Sequence, residues 1–146
     1  MEFDNSISSK ERFEILELIA NYSYLYDEDR IPEFVELFML NAESSIYIGG
    51  SKQPVVFAQS NAERLVSSQE MRSGPTNQAG KPRHMQTNTI LNRLSDDLIA
   101  GKTMVVCTQQ PHDGSAATIM FSGIYEDEFV RTSSGWKFLK RKGLLD

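Results

Sequence analysis

The stretch Arg83-His84-Met85-Gln86-Thr87-Asn88-Thr89-Ile90-Leu91-Asn92-Arg93-Leu94 decides how this chain is read. A period of two places His84, Gln86 and Asn88 on one face and Met85, Thr87, Thr89 and Leu91 on the other, the pattern of a long strand. Residues 102–110, 115–132 and 136–142 have the same character. Asp96-Asp97, Pro111-His112-Asp113-Gly114 and Ser133-Ser134-Gly135 supply turns between them, so four strands are expected to pair as an antiparallel meander.

Upstream of residue 83 the period changes. Ser8 followed by Glu11 matches a capping box, in which hydroxyl and carboxylate satisfy orphan backbone N–H groups at a helix start. Ile15, Leu16, Ile19, Tyr22, Ser23 and Tyr26 then recur at helical spacing. Asp27-Glu28-Asp29-Arg30 breaks that stripe. Pro32 suits the first position of a shorter helix, with Phe34, Val35, Leu37 and Phe38 supplying contacts and Asn41 ending it. Residues 44–48 read as a short strand closed by Gly49-Gly50, and 53–57 as an extended piece interrupted by Pro54. A third helix is expected over 58–70 with Ala62, Leu65 and Val66 buried. Residues 71–82, with two Gly and two Pro, read as a mobile connection. Helices followed by an antiparallel sheet make an α+β protein. Strands of this length curl. The expected architecture is a cone-shaped sheet packed with three N-terminal helices, a cystatin-like α+β roll around a conical pocket.

At 146 residues, a single domain over 1–146 is expected, and it buries roughly two-thirds of its unfolded surface without a staple. Forty per cent apolar and 24% charged residues describe an ordinary globular chain. Fifteen basic against 20 acidic residues give a net charge of −5, which argues against a nucleic-acid partner. Lys137, Lys140, Arg141 and Lys142 cluster near the end and read as the solvated edge of a terminal strand. A lone Cys107 excludes a disulfide framework and a cysteine zinc site. No leader pattern and no apolar run of membrane-spanning length are present, so a cytoplasmic location without membrane contact is expected. Neither a phosphate-binding glycine loop, a nucleophile elbow nor an HExxH spacing occurs, and no metal or cofactor is expected. Acid–base chemistry is the catalytic option left.

His84 is the most informative residue for that option. A row of His84, Gln86 and Asn88 facing the helices needs partners for each; the same row facing water does not, and both readings stand. Asp27 lies at the C-terminal end of the first helix, where the dipole disfavours a carboxylate by about 0.3–1 kcal/mol unless a cation is near; local sequence alone favours a solvated helix end. His112 sits in a tight turn and reads as exposed. Trp136, Phe138, Tyr22 and Tyr26 read as core, each tyrosine hydroxyl needing a partner if buried.

Tyr22-x-x-x-Tyr26-Asp27, Phe34-x-x-Leu37-Phe38, Arg83-His84-x-x-x-Asn88, and Gly123-x-Tyr125-x-Asp127 leading to Gly135-Trp136-Lys137-Phe138 together resemble the SnoaL-like branch of the nuclear-transport-factor-two-like superfamily. The resemblance is to the scytalone dehydratase and dehydrochlorinase group, and it runs from about Phe13 to Lys142. It implies a cone of curled sheet closed by three helices. It also implies a contact between Asp27 and His84, with Asp27 fixing the imidazole tautomer and His84 taking a proton from substrate carbon. Tyr22 matches a tyrosine that donates toward a leaving or carbonyl oxygen, and Asn88, Tyr26, Phe121 and Tyr125 are the expected substrate-binding residues. The implied activity is a cofactor-independent lyase or isomerase acting on a small hydrophobic cyclic or polyketide-like molecule.

Three departures accompany the resemblance. The second acid or histidine of the dehydratases has no counterpart in Val105-Val106-Cys107-Thr108-Gln109-Gln110. Their Asp after the second helix is Asn41 here, and the acids of the ketosteroid isomerases find no clear match. Arg131 lies near an arginine of the dehydrochlorinase pattern and reads as a solvated strand end. The alternative is a non-catalytic ligand-binding or scaffold protein resembling a ring-hydroxylating dioxygenase beta subunit. Met85, Leu91, Met104 and Val106 on the outer sheet face suggest a homo-oligomer, dimer or trimer.

Overall fold

A computed structural model describes residues 4–146. The Ser8 hydroxyl accepts from the Glu11 N–H at 3.1 Å and the Glu11 carboxylate accepts from the Ser8 N–H at 2.8 Å, starting helix α1 (Ser9–Asp27). Pro32 lies in the first turn of α2 (Ile31–Val35). This helix is shorter than expected. Phe38 and Asn41 belong to strand β1 (Phe38–Ile48), because Phe38 pairs with Phe138 and Leu37 C=O accepts from Phe138 N–H at 2.9 Å. A long-range pairing therefore overrides a weak helical preference.

Strand β2 (Val56–Ala58), helix α3 (Asn61–Ser73) and the short α4 (Pro75–Gln78) lead into β3 (Gly80–Ser95), β4 (Leu98–Pro111), β5 (Thr118–Thr132) and β6 (Gly135–Leu145). Residues 71–82 are thus structured throughout. The sheet order is β2-β1-β6-β5-β4-β3, with β1 and β6 parallel and the other pairings antiparallel. This is an α+β fold with a curled, unclosed six-stranded sheet wrapped around the helices. Tyr22, Phe34, Phe38, Phe129 and Phe138 form its aromatic centre. No helix among the described residues is long and apolar enough to cross a membrane.

Two bulges set which side chains face inward. In β3 the register jumps between Thr87 and Ile90, and Asn88 takes φ of 55°. Two residues there oppose Thr103, so every later side chain changes face. Leu91, expected on the outer face, is consequently 4% exposed and packed in the core. Gly101 makes room for it and for Phe129, since a Cβ there would lie 3.2 Å from Leu91 Cδ2 and 2.7 Å from the Phe129 ring. In β6 the register jumps across Leu139, with Phe129 opposite Phe138 and Glu128 opposite Lys140. Trp136, Phe138 and Arg141 therefore all point inward. Arg141 is 3% exposed and not part of a solvated edge.

Helix α3 also departs from expectation. Its buried residues are Arg64, Ser68 and Arg72, whereas Val66 is 54% exposed. The polar stripe turns inward because β1 and α1 offer it hydrogen-bond acceptors.

Candidate functional site

Asp27 closes α1 and His84 lies near the start of β3. The ring Nδ1 of His84 is 2.6 Å from Asp27 Oδ1, and His84 N–H donates to Asp27 Oδ2 at 2.8 Å. One carboxylate thus holds both ring and backbone of the histidine. With the carboxylate accepting, Nδ1 carries a proton and Nε2 is the nitrogen left to exchange one. The side chains are 10% and 6% exposed. Tyr26 meets the imidazole edge-on at 5.4 Å, and Phe121 flanks it at 5.6 Å.

The sequence places no cation in the last turn of α1. The tertiary structure supplies one: Arg72 of α3 donates from Nε to Tyr26 C=O and from Nη2 to Asp27 C=O, both at 3.0 Å. These bonds satisfy terminal helix carbonyls and offset the dipole that opposes the Asp27 charge. Gln86, next inward on β3, donates to Ile19 C=O at 3.0 Å and Ser23 Oγ at 2.7 Å. His84 and Gln86 therefore face the helix and find partners there.

Burial disfavours the His84 imidazolium, but the bond to Asp27, joined by the Cys107 side chain opposite it on β4, outweighs burial and raises its pKa to about 9. Burial also raises the Tyr22, Tyr26 and Tyr125 hydroxyls above their ordinary values, so all three stay protonated donors.

These groups line one cavity of about 280 Å³ whose walls are mainly apolar, including Tyr22, Tyr26, Phe121 and Tyr125 beside His84 and Cys107. Asn88 lies elsewhere. Its amide sits in the β3 bulge and donates to the sulfur of exposed Met104 at 3.3 Å, because the bulge swings it off the inner face. His112 is exposed in its turn, and half-exposed Arg131 pairs with Glu11 and Asp97. Among the described residues no group of three His, Cys, Asp or Glu side chains is arranged to hold a metal ion.

Sequence reasoning missed the second charged pair. Arg141 donates from Nε and Nη2 to the two oxygens of Asp127, each at 2.8 Å, with both residues under 5% exposed. Its guanidinium lies over Tyr22 at 4.2 Å, Tyr125 at 4.1 Å and Phe138 at 4.5 Å, and lines the cavity. Burial opposes its charge; the bidentate bond to Asp127 prevails and raises its pKa. Tyr22 packs on Arg141 and Tyr26 on His84, so the two polar stations are offset by four residues along α1, roughly 6 Å. One signal was available: Asp127 lies between inward Tyr125 and Phe129 on β5, and a buried carboxylate demands a cation. Nothing local marked Arg141 as that cation, because the Leu139 bulge shifts its face.

The SnoaL-like domain family model matches residues 8–142. No curated protein matches the chain. The fold is similar to that of Aln2 from a Streptomyces species, with TM-score 0.81 at 17% identity over 94% of this chain and 91% of that one. It is also similar to a putative scytalone dehydratase from Novosphingobium aromaticivorans, with TM-score 0.75 at 19% identity over 93% and 84% of the two chains. The beta subunit of a putative aromatic-ring-hydroxylating dioxygenase from the same organism gives TM-score 0.77 at 19% identity over 90% and 86%. With the match spanning nearly its whole length, the chain belongs to the SnoaL-like domain family, within the nuclear-transport-factor-two-like superfamily.

Proposed function

We propose that the protein is a cofactor-independent lyase or isomerase in which Asp27 and His84 move a proton on a small hydrophobic, cyclic or polyketide-like molecule. The observation that carries this reading is a carboxylate-held imidazole on the wall of an apolar cavity. His84 Nε2 takes the proton from substrate carbon, and Asp27 stabilises the imidazolium formed. Departure of a leaving group then gives elimination; return of the proton elsewhere gives isomerisation. Tyr22, held protonated by burial, donates toward developing negative charge on oxygen. Tyr26 and Phe121 pack against the imidazole, and Tyr125 shapes the wall.

A generic carbon acid tests this reading without knowledge of the natural substrate. A base removes the C3 proton of 5-nitrobenzisoxazole as its N–O bond breaks, releasing a coloured cyanophenolate. The wild-type protein is expected to accelerate this elimination about 10²-fold over His84→Ala. The rate rises with pH and levels off above about 9, where the imidazole is neutral. A binding or scaffold role is the second reading, favoured because β4 presents Cys107 and no carboxylic acid or histidine opposite His84. Equal rates for wild type and His84→Ala select that reading.

The outer sheet face carries half-exposed Met85 and Met104, an apolar patch suited to a second copy of the chain. Light scattering after size exclusion is expected to report a dimer or trimer; a 16.5 kDa species overturns the oligomer.

A further inference from the structure

Arg64 on α3 is a second guanidinium in the cavity wall, 2% exposed. It donates from Nε to Ser44 Oγ at 2.8 Å and from Nη1 to Asn61 Oδ1 at 2.6 Å, and it also bonds Ala42 C=O. Its plane lies 4.2 Å over the Phe38 ring. Every one of these partners is neutral. Among the described residues no carboxylate lies within ion-pair distance of Arg64, unlike Arg141 with its Asp127. Burial pulls its pKa down to about 10, which still leaves it charged at neutral pH. Ser44, its partner on β1, is in register with Arg141 on β6, so the two guanidinium groups belong to one end of the cavity. Arg141 Nη1 is buried there and finds no hydrogen-bond partner among the described residues.

The charges around the cavity do not balance. Arg64, Arg141 and His84 line it; Asp127 pairs with Arg141 and Asp27 with His84, and among the described residues Arg64 has no carboxylate of its own. The Arg64 charge is therefore left without a countercharge. A buried, uncompensated cation is costly, and an anion entering the cavity offsets that cost. The aromatic walls accept only an apolar body. We infer that the cavity takes a monoanionic ligand, a cyclic or aromatic carboxylic acid whose carboxylate lodges at the Arg64–Ser44–Arg141 end while its ring system lies against Tyr22, Phe38 and Tyr125. The inference narrows the substrate class of the proposed lyase or isomerase, but its geometry does not use the Asp27–His84 pair.

The test compares 2-naphthoate with the neutral, nearly isosteric 2-naphthamide by calorimetry at pH 7. The carboxylate binds about tenfold or more tightly than the amide, the range expected for hydrogen bonds to a charged group. The preference persists in His84→Ala, which separates this inference from the proton-transfer reading. It is retained in Arg64→Lys and lost in Arg64→Gln, and the Arg64 Nε–H resonance of the wild type shifts on adding 2-naphthoate. Equal or reversed affinities in the wild type, binding of neither compound, or a preference that disappears with His84 alone overturns it. Should Arg64→Gln not fold, the wild-type preference and the Nε–H shift still decide the matter.

Discussion

Replacing Asp27 with asparagine is expected to drop the His84 pKa from about 9 to below about 6.5, the ordinary imidazole value. Burial by itself pushes the imidazole down, and the carboxylate is the main group reversing that push. Asparagine keeps an oxygen near Nδ1 but removes the charge. Titration of the ring nitrogens by NMR reads the shift directly. A His84 pKa still near 9 in Asp27→Asn would place its origin outside the pair. The same linkage predicts a stability profile. Because the folded pKa lies above the unfolded one, the contribution is fully present below about pH 6.5 and is lost as pH rises through about 9. It amounts to on the order of 3 kcal/mol, and Asp27→Asn flattens that part of the profile.

Asp127→Ala is the substitution expected to cost the most stability. It strands the Arg141 guanidinium among Tyr22, Tyr125 and Phe138 with no other carboxylate in ion-pair reach among the described residues. Removing one partner of a buried pair costs about 3–5 kcal/mol, whereas replacing both by apolar groups is often neutral. A domain with roughly 5–15 kcal/mol of total stability is close to unfolding after such a loss. Urea denaturation should show Asp127→Ala far below wild type and the double variant Asp127→Leu/Arg141→Met well above the single one. A cost under about 1 kcal/mol for Asp127→Ala would mean that aromatic stacking alone supports the cation.

The two pairs divide the cavity's chemistry between them. His84 is held by a helix terminus and carries a removable proton; Arg141 is held within the sheet and its proton is permanent. Tyr26 and Tyr22 couple them through one turn of α1. A ligand anchored by charge at one station would thus present its ring to the imidazole at the other.

Local chemistry carried much of this architecture. The Ser8–Glu11 box, the stripe from Ile15 to Tyr26 and the period-two strands needed only neighbours in sequence, so the α+β class could be read from the chain, whereas period two set His84 beside Gln86 without deciding which face turned inward. Four things could not. The β1–β6 pairing that turned Phe38 into a strand residue joins segments a hundred positions apart. The bulges at Asn88 and Leu139 exchange faces midway along a strand, sending Asn88 out and Leu91 and Arg141 in. The buried stripe of Arg64, Ser68 and Arg72 violates ordinary amphipathic patterning, because its acceptors are Ser44, Ala42 C=O and the end of α1. Finally, the 2.6 Å approach of Asp27 to His84 spans 57 residues, and the family resemblance implied it where local chemistry favoured a solvated helix end. Periodicity reports which side of an element a residue occupies as long as the register runs unbroken; where a bulge breaks it, or a distant backbone supplies the partner, only the assembled sheet decides.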